Sequence, residues 1–431
     1  MRHLYSFVWG LSLPFALLRI WWRGRQEPGY RQHIAERLGF YGTSSTSNST
    51  ATLWVHAVSA GETRAAEPLI RALLQRCPEH KIVLTHMTAT GRETGGKLFA
   101  DVGQRIVQAY LPYDINWMMR RFLRHFSPQI CVLIETEVWP NLVAQCQRRQ
   151  VPVTLVNARL SEKSLKKAHQ LAALILPAAR AISCVAAQSN PDAHRLQQLG
   201  IAQPGITGNM KFDVTPPPLM AERGAALRSG FGQRAVILCA STRDGEEELI
   251  LHAWTELMHK HTDSTAARPL LVITPRHPQR FDQVAALLDA RGLTYVRRSA
   301  LELTPELPVD TQILLGDSMG EMYMYYAAAD VAFVGGSLVP LGGHNLIEAC
   351  AMGRAVLTGP HTFNFSEITD QAIAAGAALR VDGAASLLKQ AMQLLNDTVS
   401  REMMGQHAHA FFLQHQGATA RTMQMLEPYL Q

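Results

Sequence analysis

The feature that most constrains the fold of this chain is an alternation of short apolar runs and longer amphipathic segments that starts at Leu53. Runs such as LWVHAV and ICVLI are each followed by a turn and a segment of helix length. Strands that are continuously apolar are typical of parallel sheets, because helices cover both faces of such sheets. The pattern therefore predicts an α/β fold with doubly wound parallel sheets.

The alternation occurs twice, on either side of a proline-rich segment that reads DVTPPPL. A chain of 431 residues is too long for a single ordinary core, so that two domains are expected. The predicted divisions are an anchor at 1–25, an N-terminal domain at 50–212, a hinge at 213–222, a C-terminal domain at 223–400, and closing helices at 401–431 that can pack back on the N-terminal domain.

Residues 1–25 are predicted to anchor the chain to a membrane. Leu4–Trp22 is apolar apart from Arg19 and is about long enough to cross a bilayer. The arginines in and after this segment form a positive-inside pattern that predicts a cytoplasmic body: Arg19, Arg23, Arg25, Arg31 and Arg37. Gly10 and Pro14 equally suit a helix that lies in the membrane interface, so that spanning and interfacial arrangements both stay open.

Composition narrows the function classes. Hydrophobic residues make up 47% and charged residues 18% of the chain, which indicates a globular protein. A net charge of +6 suits an anionic substrate or a membrane surface, and no nucleic-acid-binding motif accompanies it. The six cysteines form no CxxC pair and are expected to be reduced thiols in the core. Residues 43–52 are a polar linker.

Glu62 follows the first predicted strand, in the turn SAGET. Ligands of doubly wound sheets bind beyond the carboxyl ends of strands, and a carboxylate there suits a general base that takes a proton from an acceptor hydroxyl. A glutamate in the first turn of a helix also stabilises the helix dipole without any chemistry. The spacing alone favours this structural interpretation.

Three more positions at strand ends are candidates. Glu135 and Glu137 follow the strand Ile130–Ile134, and they share one side if the strand continues; a solvated turn is the alternative. Lys211 lies in GNMKFD, where it either meets a phosphate or carboxylate or is an exposed loop lysine. Arg159 opens a basic cluster beside an apolar segment, which suits an anionic lipid head group or a solvated helix face.

A glycine-rich stretch in the second half predicts a donor site. Gly335-Gly336-Ser337 ends an apolar run, and Gly342-Gly343 precedes a predicted helix at Asn345–Met352. Glycines let the backbone approach a ligand closely, and the N-terminus of a helix favours a phosphate. The stretch is predicted to bind a nucleotide-activated donor.

Two further side chains belong to this prediction. Arg276 follows a predicted strand and can bind an anion through its planar fork, or form a surface ion pair. Glu348 lies three residues after Asn345, which is capping-box spacing, so that it either caps its own helix or accepts hydrogen bonds from a ribose.

Ten motifs, in this order and over most of the chain, resemble the bacterial 3-deoxy-D-manno-octulosonic acid (Kdo) transferases of lipopolysaccharide assembly: HAVSAGE, LIETEVWPN, NARLS, GNMKFD, STRDGEE, TPRHP, GDSMGE, FVGGS, GGHNLIEA and GPHTFNF. The resemblance implies a GT-B glycosyltransferase with two Rossmann-like domains facing a central cleft and an N-terminal membrane-anchoring helix. It implies an inverting, metal-independent enzyme without a cofactor. Its donor is CMP-Kdo, its acceptor is the lipid A precursor lipid IV-A, and it lies on the cytoplasmic side of the inner membrane.

The resemblance also assigns roles to residues, and it reverses the preference at Glu62. It implies that Glu62 is the catalytic base and that Glu135 and Lys211 stabilise the transition state. It implies that CMP is bound by three segments: Pro275 and Arg276; Met319, Gly320 and Glu321; and Asn345, Leu346, Ile347 and Glu348.

Three other functions remain alternatives at this point. They are a transferase that uses another nucleotide-sugar, a membrane-tethered binding protein without catalysis, and an epimerase on the same fold. The number of Kdo residues transferred is not encoded in any motif of this chain.

Overall fold

The computed structural model describes residues 1–25, 27–42, 51–260, 268–302 and 306–430. Residues 43–50 of the predicted linker lie outside the described residues. The chain forms two compact units. Unit 1 comprises Met1–Val214 and His415–Gln431, and unit 2 comprises Thr215–Gln414.

Unit 1 is built on a parallel sheet of seven strands in the order β3-β2-β1-β4-β5-β6-β7. Its strands are β1 (Thr52–His56), β2 (Lys81–His86), β3 (Ile106–Tyr110), β4 (Ile130–Ile134), β5 (Val153–Ala158), β6 (Cys184–Ala187) and β7 (Gly205–Ile206). Its helices before the crossing to unit 2 are α1 (Arg2–Arg23), α2 (Ile34–Arg37), α3 (Ala60–Arg76), α4 (Ala89–Leu98), α5 (Asn116–Phe126), α6 (Pro140–Arg148), α7 (Glu162–Gln170), α8 (Ala172–Arg180) and α9 (Asn190–Gln198).

Unit 2 repeats this plan in a parallel sheet of seven strands in the order β10-β11-β9-β8-β12-β13-β14. Its strands are β8 (Val236–Thr242), β9 (Leu270–Pro275), β10 (Tyr295–Arg297), β11 (Ile313–Leu315), β12 (Val331–Val334), β13 (Ala355–Thr358) and β14 (Ala378–Arg380). Its helices are α10 (Pro218–Ser229), α11 (Glu246–Lys260), α12 (Phe281–Ala290), α13 (Met322–Ala328), α14 (Ile347–Ala351), α15 (Ser366–Ala374), α16 (Ala384–Asn396) and α17 (Thr398–Gln414). The last helix, α18 (Ala418–Leu426), belongs to unit 1.

Single-turn 3-10 helices connect several of these elements. They are Pro28–Arg31, Gly103–Arg105, Met210–Asp213, Pro278–Arg280, Arg298–Ala300 and Glu427–Tyr429.

Alternate residues of each strand pack on opposite faces of its sheet. In β1, Trp54 packs into a core with Phe122 and Leu133, while its neighbours Leu53 and Val55 pack into a second core on the other face. Both faces are therefore buried, which explains why the strands read as continuous apolar runs.

The structure confirms the predicted α/β fold with doubly wound parallel sheets and changes several element boundaries. The helix after β1 begins at Ala60, so that Glu62 lies in its first turn. The segment predicted as a hinge, 213–222, includes the start of α10, which begins at Pro218. Residues 401–414 belong to α17 of unit 2, whereas His415–Gln431 belongs to unit 1. There α18 packs on α3.

The N-terminal segment forms α1, and among the described residues it is a helix long and apolar enough to cross a membrane. One arginine of the predicted positive-inside pattern, Arg37, does not lie at a membrane surface. Arg37 is buried, donates to the carbonyl of Met87 at 3.0 Å and lies over the ring of Tyr110 at 3.7 Å. Its guanidinium therefore stabilises the interior of unit 1 and does not serve a membrane surface.

Candidate active site

The candidate site of unit 1 lies where the strand order of its sheet changes direction. Strands β1 and β4 are neighbours in the sheet although two strands separate them in the chain. In doubly wound sheets this switch point opens a crevice beyond the strand ends, and ligands bind there. Glu62 follows β1 and Glu135 follows β4, so that the fold brings together two residues that are far apart in the sequence.

The carboxylate of Glu62 is fixed by the turn that starts α3. Ser59 is the N-cap, and its hydroxyl accepts from the backbone N–H of Glu62 at 3.4 Å. In return, one carboxylate oxygen of Glu62 accepts from the Ser59 hydroxyl at 3.1 Å, and the other accepts from the backbone N–H of Val58 at 2.7 Å. The structural interpretation is thus correct as far as it goes, because Glu62 does cap its own helix.

Electrostatics add a second property to Glu62. Burial raises its pKa to about 7, and the negative charge of Glu135 adds to the effect. The hydrogen bonds from Val58 and Ser59 act in the opposite direction. A carboxylate with this pKa exchanges a proton near neutral pH, which is the requirement for a general base.

Two cations shift the pKa of Glu135 in the direction opposite to that of Glu62. Its side chain is 4% exposed, and its two oxygens lie 2.9 Å from Lys211 Nζ and 2.9 Å from Arg159 Nε. Burial alone would raise its pKa, but the charges of Lys211 and Arg159 outweigh burial and lower it. The backbone of Glu135 has a positive φ of 66°, an unusual conformation for a residue with a side chain.

The structure separates Glu135 from Glu137. Strand β4 ends at Ile134, so that the alternation expected to place both carboxylates on one side does not apply. Glu137 accepts from the indole N–H of Trp139, and burial raises its pKa. It makes no ion pair among the described residues.

A tight turn presents Lys211 to Glu135. The side-chain oxygen of Asn157 accepts from the N–H of Met210 at 3.0 Å, and that of Asn209 accepts from the N–H of Lys211 at 3.0 Å. Asn157 also has a positive φ, 51°, at the end of β5. The sequence interpretation gave Asn157 no role and assigned Arg159 to a lipid head group or a solvated helix face, whereas the structure pairs Arg159 with Glu135; the motif NARLS marked both positions.

In unit 2 the first glycine pair does not offer its amides to a ligand. The buried carboxylate of Glu246 accepts from the N–H groups of Gly336 at 2.6 Å, Ser337 at 2.9 Å and Leu338 at 2.8 Å, and from that of Arg243 at 2.9 Å. The N–H groups of Gly336, Ser337 and Leu338 are therefore bonded within unit 2, and donor binding by this stretch stays a prediction. Gly335 is needed because a Cβ there would lie 2.7 Å from the carbonyl oxygen of Ser241.

The predicted helix at Asn345–Met352 is shorter than expected. It begins at Ile347 and has five residues, and Asn345 accepts from the N–H of Ile347 at 3.1 Å. The N-cap is Leu346 and not Asn345, so that the predicted capping-box spacing does not apply, and the half-buried Glu348 lies in the first turn of the helix. The side chains of Leu346 and Ile347 are buried.

Basic side chains gather at the carboxyl edge of the unit 2 sheet. Pro275 ends β9, and the exposed Arg276 follows it, its N–H bonded to the carbonyl of Thr242 at 2.9 Å. Burial and the nearby charges of Arg276 and Arg243 lower the pKa of His344 to about 4. Two arginines beside a neutral imidazole form a site suited to an anion.

The third predicted donor segment follows β11 at the same edge. Met319 is 54% exposed, and Gly320 has a φ of 84°, which only glycine adopts without strain. Glu321 accepts from Arg298 at 3.3 Å and from the hydroxyl of Ser318.

Known proteins resemble this chain over its whole length. A family model described as 3-Deoxy-D-manno-octulosonic-acid transferase (kdotransferase) matches residues 32–214. A protein of Bordetella pertussis named 3-deoxy-D-manno-octulosonic acid transferase is 46% identical over 432 residues, which cover 100% of this chain and 99% of that protein. The chain belongs to the 3-deoxy-D-manno-octulosonic acid transferase family. Its class of activity is therefore Kdo transfer, a glycosyltransferase reaction.

A second member of the transferase family, from Haemophilus influenzae, is 38% identical over 434 residues, 100% of this chain and 99% of that protein. Among solved structures, UDP-GlcNAc 2-epimerase from Neisseria meningitidis shares 17% identity with a TM-score of 0.59 and covers 88% of this chain and 100% of its own. A glycosyltransferase from Rickettsia africae ESF-5 shares 13% identity with a TM-score of 0.58, over 89% of this chain and 100% of its own. These two structures show the fold alone, and they confirm the GT-B fold class with two Rossmann-like units.

Proposed function

We propose that this Kdo transferase moves Kdo from CMP-Kdo to the lipid A precursor lipid IV-A, with inversion at the anomeric carbon and with Glu62 as the general base. The observation that carries the proposal is the environment of Glu62. Its carboxylate is restrained by Val58 and Ser59, and burial together with Glu135 raises its pKa to about 7. No cofactor and no metal takes part in the proposed reaction.

The step in unit 1 is the activation of the acceptor. A sugar hydroxyl of lipid IV-A gives its proton to Glu62, and its oxygen forms a bond to the anomeric carbon of Kdo. The bond from that carbon to the phosphate oxygen of CMP breaks, and CMP leaves with the electron pair. Glu135 holds the ammonium group of Lys211 in place. The positive charge of this ammonium group stabilises the negative charge of the donor in the transition state.

The donor is held by unit 2 in this proposal. Arg276, next to Arg243 and His344, binds the phosphate or the sugar carboxylate. Glu348 accepts hydrogen bonds from the nucleoside, and the backbone at Leu346 and Ile347 lies against it. Met319, Gly320 and Glu321 line the remaining side of the proposed donor site.

The proposed location is the cytoplasmic side of the inner membrane, where an acyl-chain-bearing acceptor is found. The apolar helix α1 and the exposed arginines near its end support this placement: Arg19, Arg23, Arg25 and Arg31. An enzyme anchored to the same surface as its acceptor meets that acceptor at a high effective concentration.

The test is Glu62→Gln, which keeps the size of the side chain and removes the base. Loss of a general base typically lowers a rate by roughly 10²–10⁴-fold, so that transfer is expected to fall by that factor while CMP binding stays as in the wild type. Purified protein is incubated with CMP-Kdo and lipid IV-A, and the lipid product is measured by mass spectrometry, which also counts the Kdo residues added.

Glu137→Gln is the matched control, because Glu137 is, like Glu62, a half-buried carboxylate that follows a strand of unit 1 and has a raised pKa. Transfer by this variant is expected to stay within a few-fold of the wild type. Equal losses in the two variants, or normal transfer by Glu62→Gln, contradict the assignment. A parallel incubation with UDP-sugars tests the donor, since product from those would replace CMP-Kdo in the proposal.

A further inference from the structure

Helix α1 has two different faces. Along one face, large apolar side chains point away from the protein and are between 52% and 75% exposed: Leu4, Phe7, Val8, Leu11, Phe15, Leu18 and Trp22. Their spacing of three and four residues forms one continuous stripe. We call this set the outward stripe. No residue of α1 is fully buried, so that nothing among the described residues covers this apolar stripe.

The opposite face of α1 is docked on unit 1. Trp9, Leu13 and Ile20 pack against a small core formed by Tyr113, Ile115 and Met118. The rings of Trp9 and Tyr113 are 5.6 Å apart. The docking continues past the helix end, where Arg31 Nε donates to the carbonyl of Trp21 at 3.1 Å.

Polar contacts fix the start of α1 to the same unit. The hydroxyl of Ser6 accepts from the side-chain amides of Asn116 at 3.2 Å and Asn141 at 2.9 Å. Tyr5 forms a hydrogen bond with Asp114, whose carboxylate also accepts from the first backbone N–H groups of α6. Moving α1 into a bilayer core would remove these partners from the hydroxyl groups of Tyr5 and Ser6.

The length of the docking decides between the two arrangements that the sequence leaves open. Contacts with the rest of unit 1 run from Tyr5 to Ile20, a rise of about 22 Å along a helix. A spanning helix needs nearly its whole length surrounded by lipid. Here both ends of α1 lie against one globular unit, and only a stripe along its side is available to lipid.

Neighbouring surface extends the outward stripe. A groove of about 440 Å³ between α1 and the start of α5 is lined by Phe7, Leu11, Ile115 and Trp117. Trp117 is 46% exposed, and its ring meets that of Phe40 edge-on at 6.4 Å. Aromatic side chains around an apolar surface are typical of the membrane interface.

Charge identifies the occupant. Residues 1–25 contain no aspartate or glutamate. Exposed arginines stand near the end of the stripe: Arg19, Arg23, Arg25 and Arg31. An apolar stripe with a cationic rim is complementary to a leaflet of anionic phospholipids, and less so to a second copy of this chain, whose own stripe carries the same positive charge.

We propose that α1 lies in the plane of one leaflet, docked on α5 and α6, and inserts only its outward stripe into the lipid. The inference rests on the membrane location in the proposed function and specifies how that location is achieved. The enzyme is then attached to the surface of one leaflet, and no part of α1 crosses the bilayer.

The test measures the depth of three positions of the outward stripe. Nitroxide labels are attached to one added cysteine at a time, Leu4→Cys, Leu11→Cys or Leu18→Cys, in the full chain with Cys184→Ala, because the other native thiols are buried. The protein is reconstituted in vesicles that contain phosphatidylglycerol, and the accessibility to oxygen and to a nickel chelate gives the depth. Val309→Cys serves as the aqueous reference, since Val309 is 95% exposed.

The proposal predicts the same shallow depth at all three positions. A spanning helix instead places Leu11 near the bilayer centre and Leu4 and Leu18 about 21 Å apart in depth, which overturns the in-plane arrangement alone. If all three positions behave like Val309, membrane attachment through α1 is wrong as well. If they are shielded without lipid and the protein is dimeric, the occupant is a second copy, which also overturns the proposal.

A cross-link provides an independent readout of docking. Ser6→Cys with Asn116→Cys is expected to form a disulfide in the same vesicles, because the two side chains are in contact. Val8→Cys with Asn116→Cys is the control, since Val8 belongs to the outward stripe. A cross-linking yield for the Ser6 pair no higher than that of the control contradicts the docked position of α1.

Discussion

The two units hold the buried carboxylates at their sheet edges in different ways. In unit 1, Glu135 is neutralised by the side chains of Lys211 and Arg159, and Lys211 is also the group that acts on the donor in our proposal. In unit 2, Glu246 is surrounded by backbone N–H groups, and the cation proposed for the donor, Arg276, lies outside that network. Stability and chemistry therefore share residues in unit 1 and are separated in unit 2.

The strongest effect on folding is expected in unit 2, from Glu246→Ala. Four backbone N–H groups lose their acceptor, and each unsatisfied buried group costs about 1–3 kcal/mol, so that the free energy of unfolding should fall by about 4 kcal/mol or more. Denaturant unfolding measures it. Glu248→Ala, at an exposed position of the same helix, is the control and should change little. Equal effects in the two variants would mean that the amide network does not hold the glycine loop.

In unit 1 we expect Lys211→Met to lower stability and transfer together. The change leaves Glu135 buried with one cation, and breaking a buried ion pair typically costs about 3 kcal/mol. Denaturant unfolding and the transfer assay are run on the same preparation. Lys163→Met, on the exposed surface of α7, is the control. A stable variant that has lost only transfer would show that the two roles are separable in unit 1 as well.

In unit 2, by contrast, we expect Arg276→Met to weaken donor binding without lowering stability. Arg276 is exposed, so that the free energy of unfolding should stay within about 0.5 kcal/mol of the wild type. A hydrogen bond to a charged ligand contributes about 2 kcal/mol, which corresponds to roughly 30-fold weaker binding of CMP by calorimetry. Arg291→Met is the matched surface control. Unchanged CMP affinity would remove Arg276 from the donor site.

The sequence predicts the sheets well, because strands of a parallel sheet that is buried on both faces read as apolar runs such as Ile130–Ile134. It predicts helix starts less well. The helix after β1 begins at Ala60 because Ser59 caps it, and that contact involves the same Glu62 for which a chemical role was considered. One glutamate can both stabilise the start of a helix and act as a catalytic base, so that spacing alone could not decide between the two roles.

What the sequence could not predict depends on strand order. Arg159 meets Glu135 because β5 lies beside β4, and Lys211 reaches the same carboxylate from a turn more than seventy residues away in the chain. The acceptor of the Gly336 amide is likewise Glu246, which lies 90 residues earlier in the chain. Local patterns identify the groups that can act, and the topology decides which of them meet.

The most direct measurement of the central claim is the pH dependence of kcat/KM for Kdo transfer, which reports the pKa of the base in the ligand-free enzyme. The base acts only when deprotonated, and the pKa of Glu62 is raised to about 7. The rate should therefore rise about tenfold per pH unit below this value, bend near pH 7 and level off above it. A profile that is already level at pH 5.5 would show that the essential carboxylate has an ordinary pKa, and it would contradict the role assigned to Glu62.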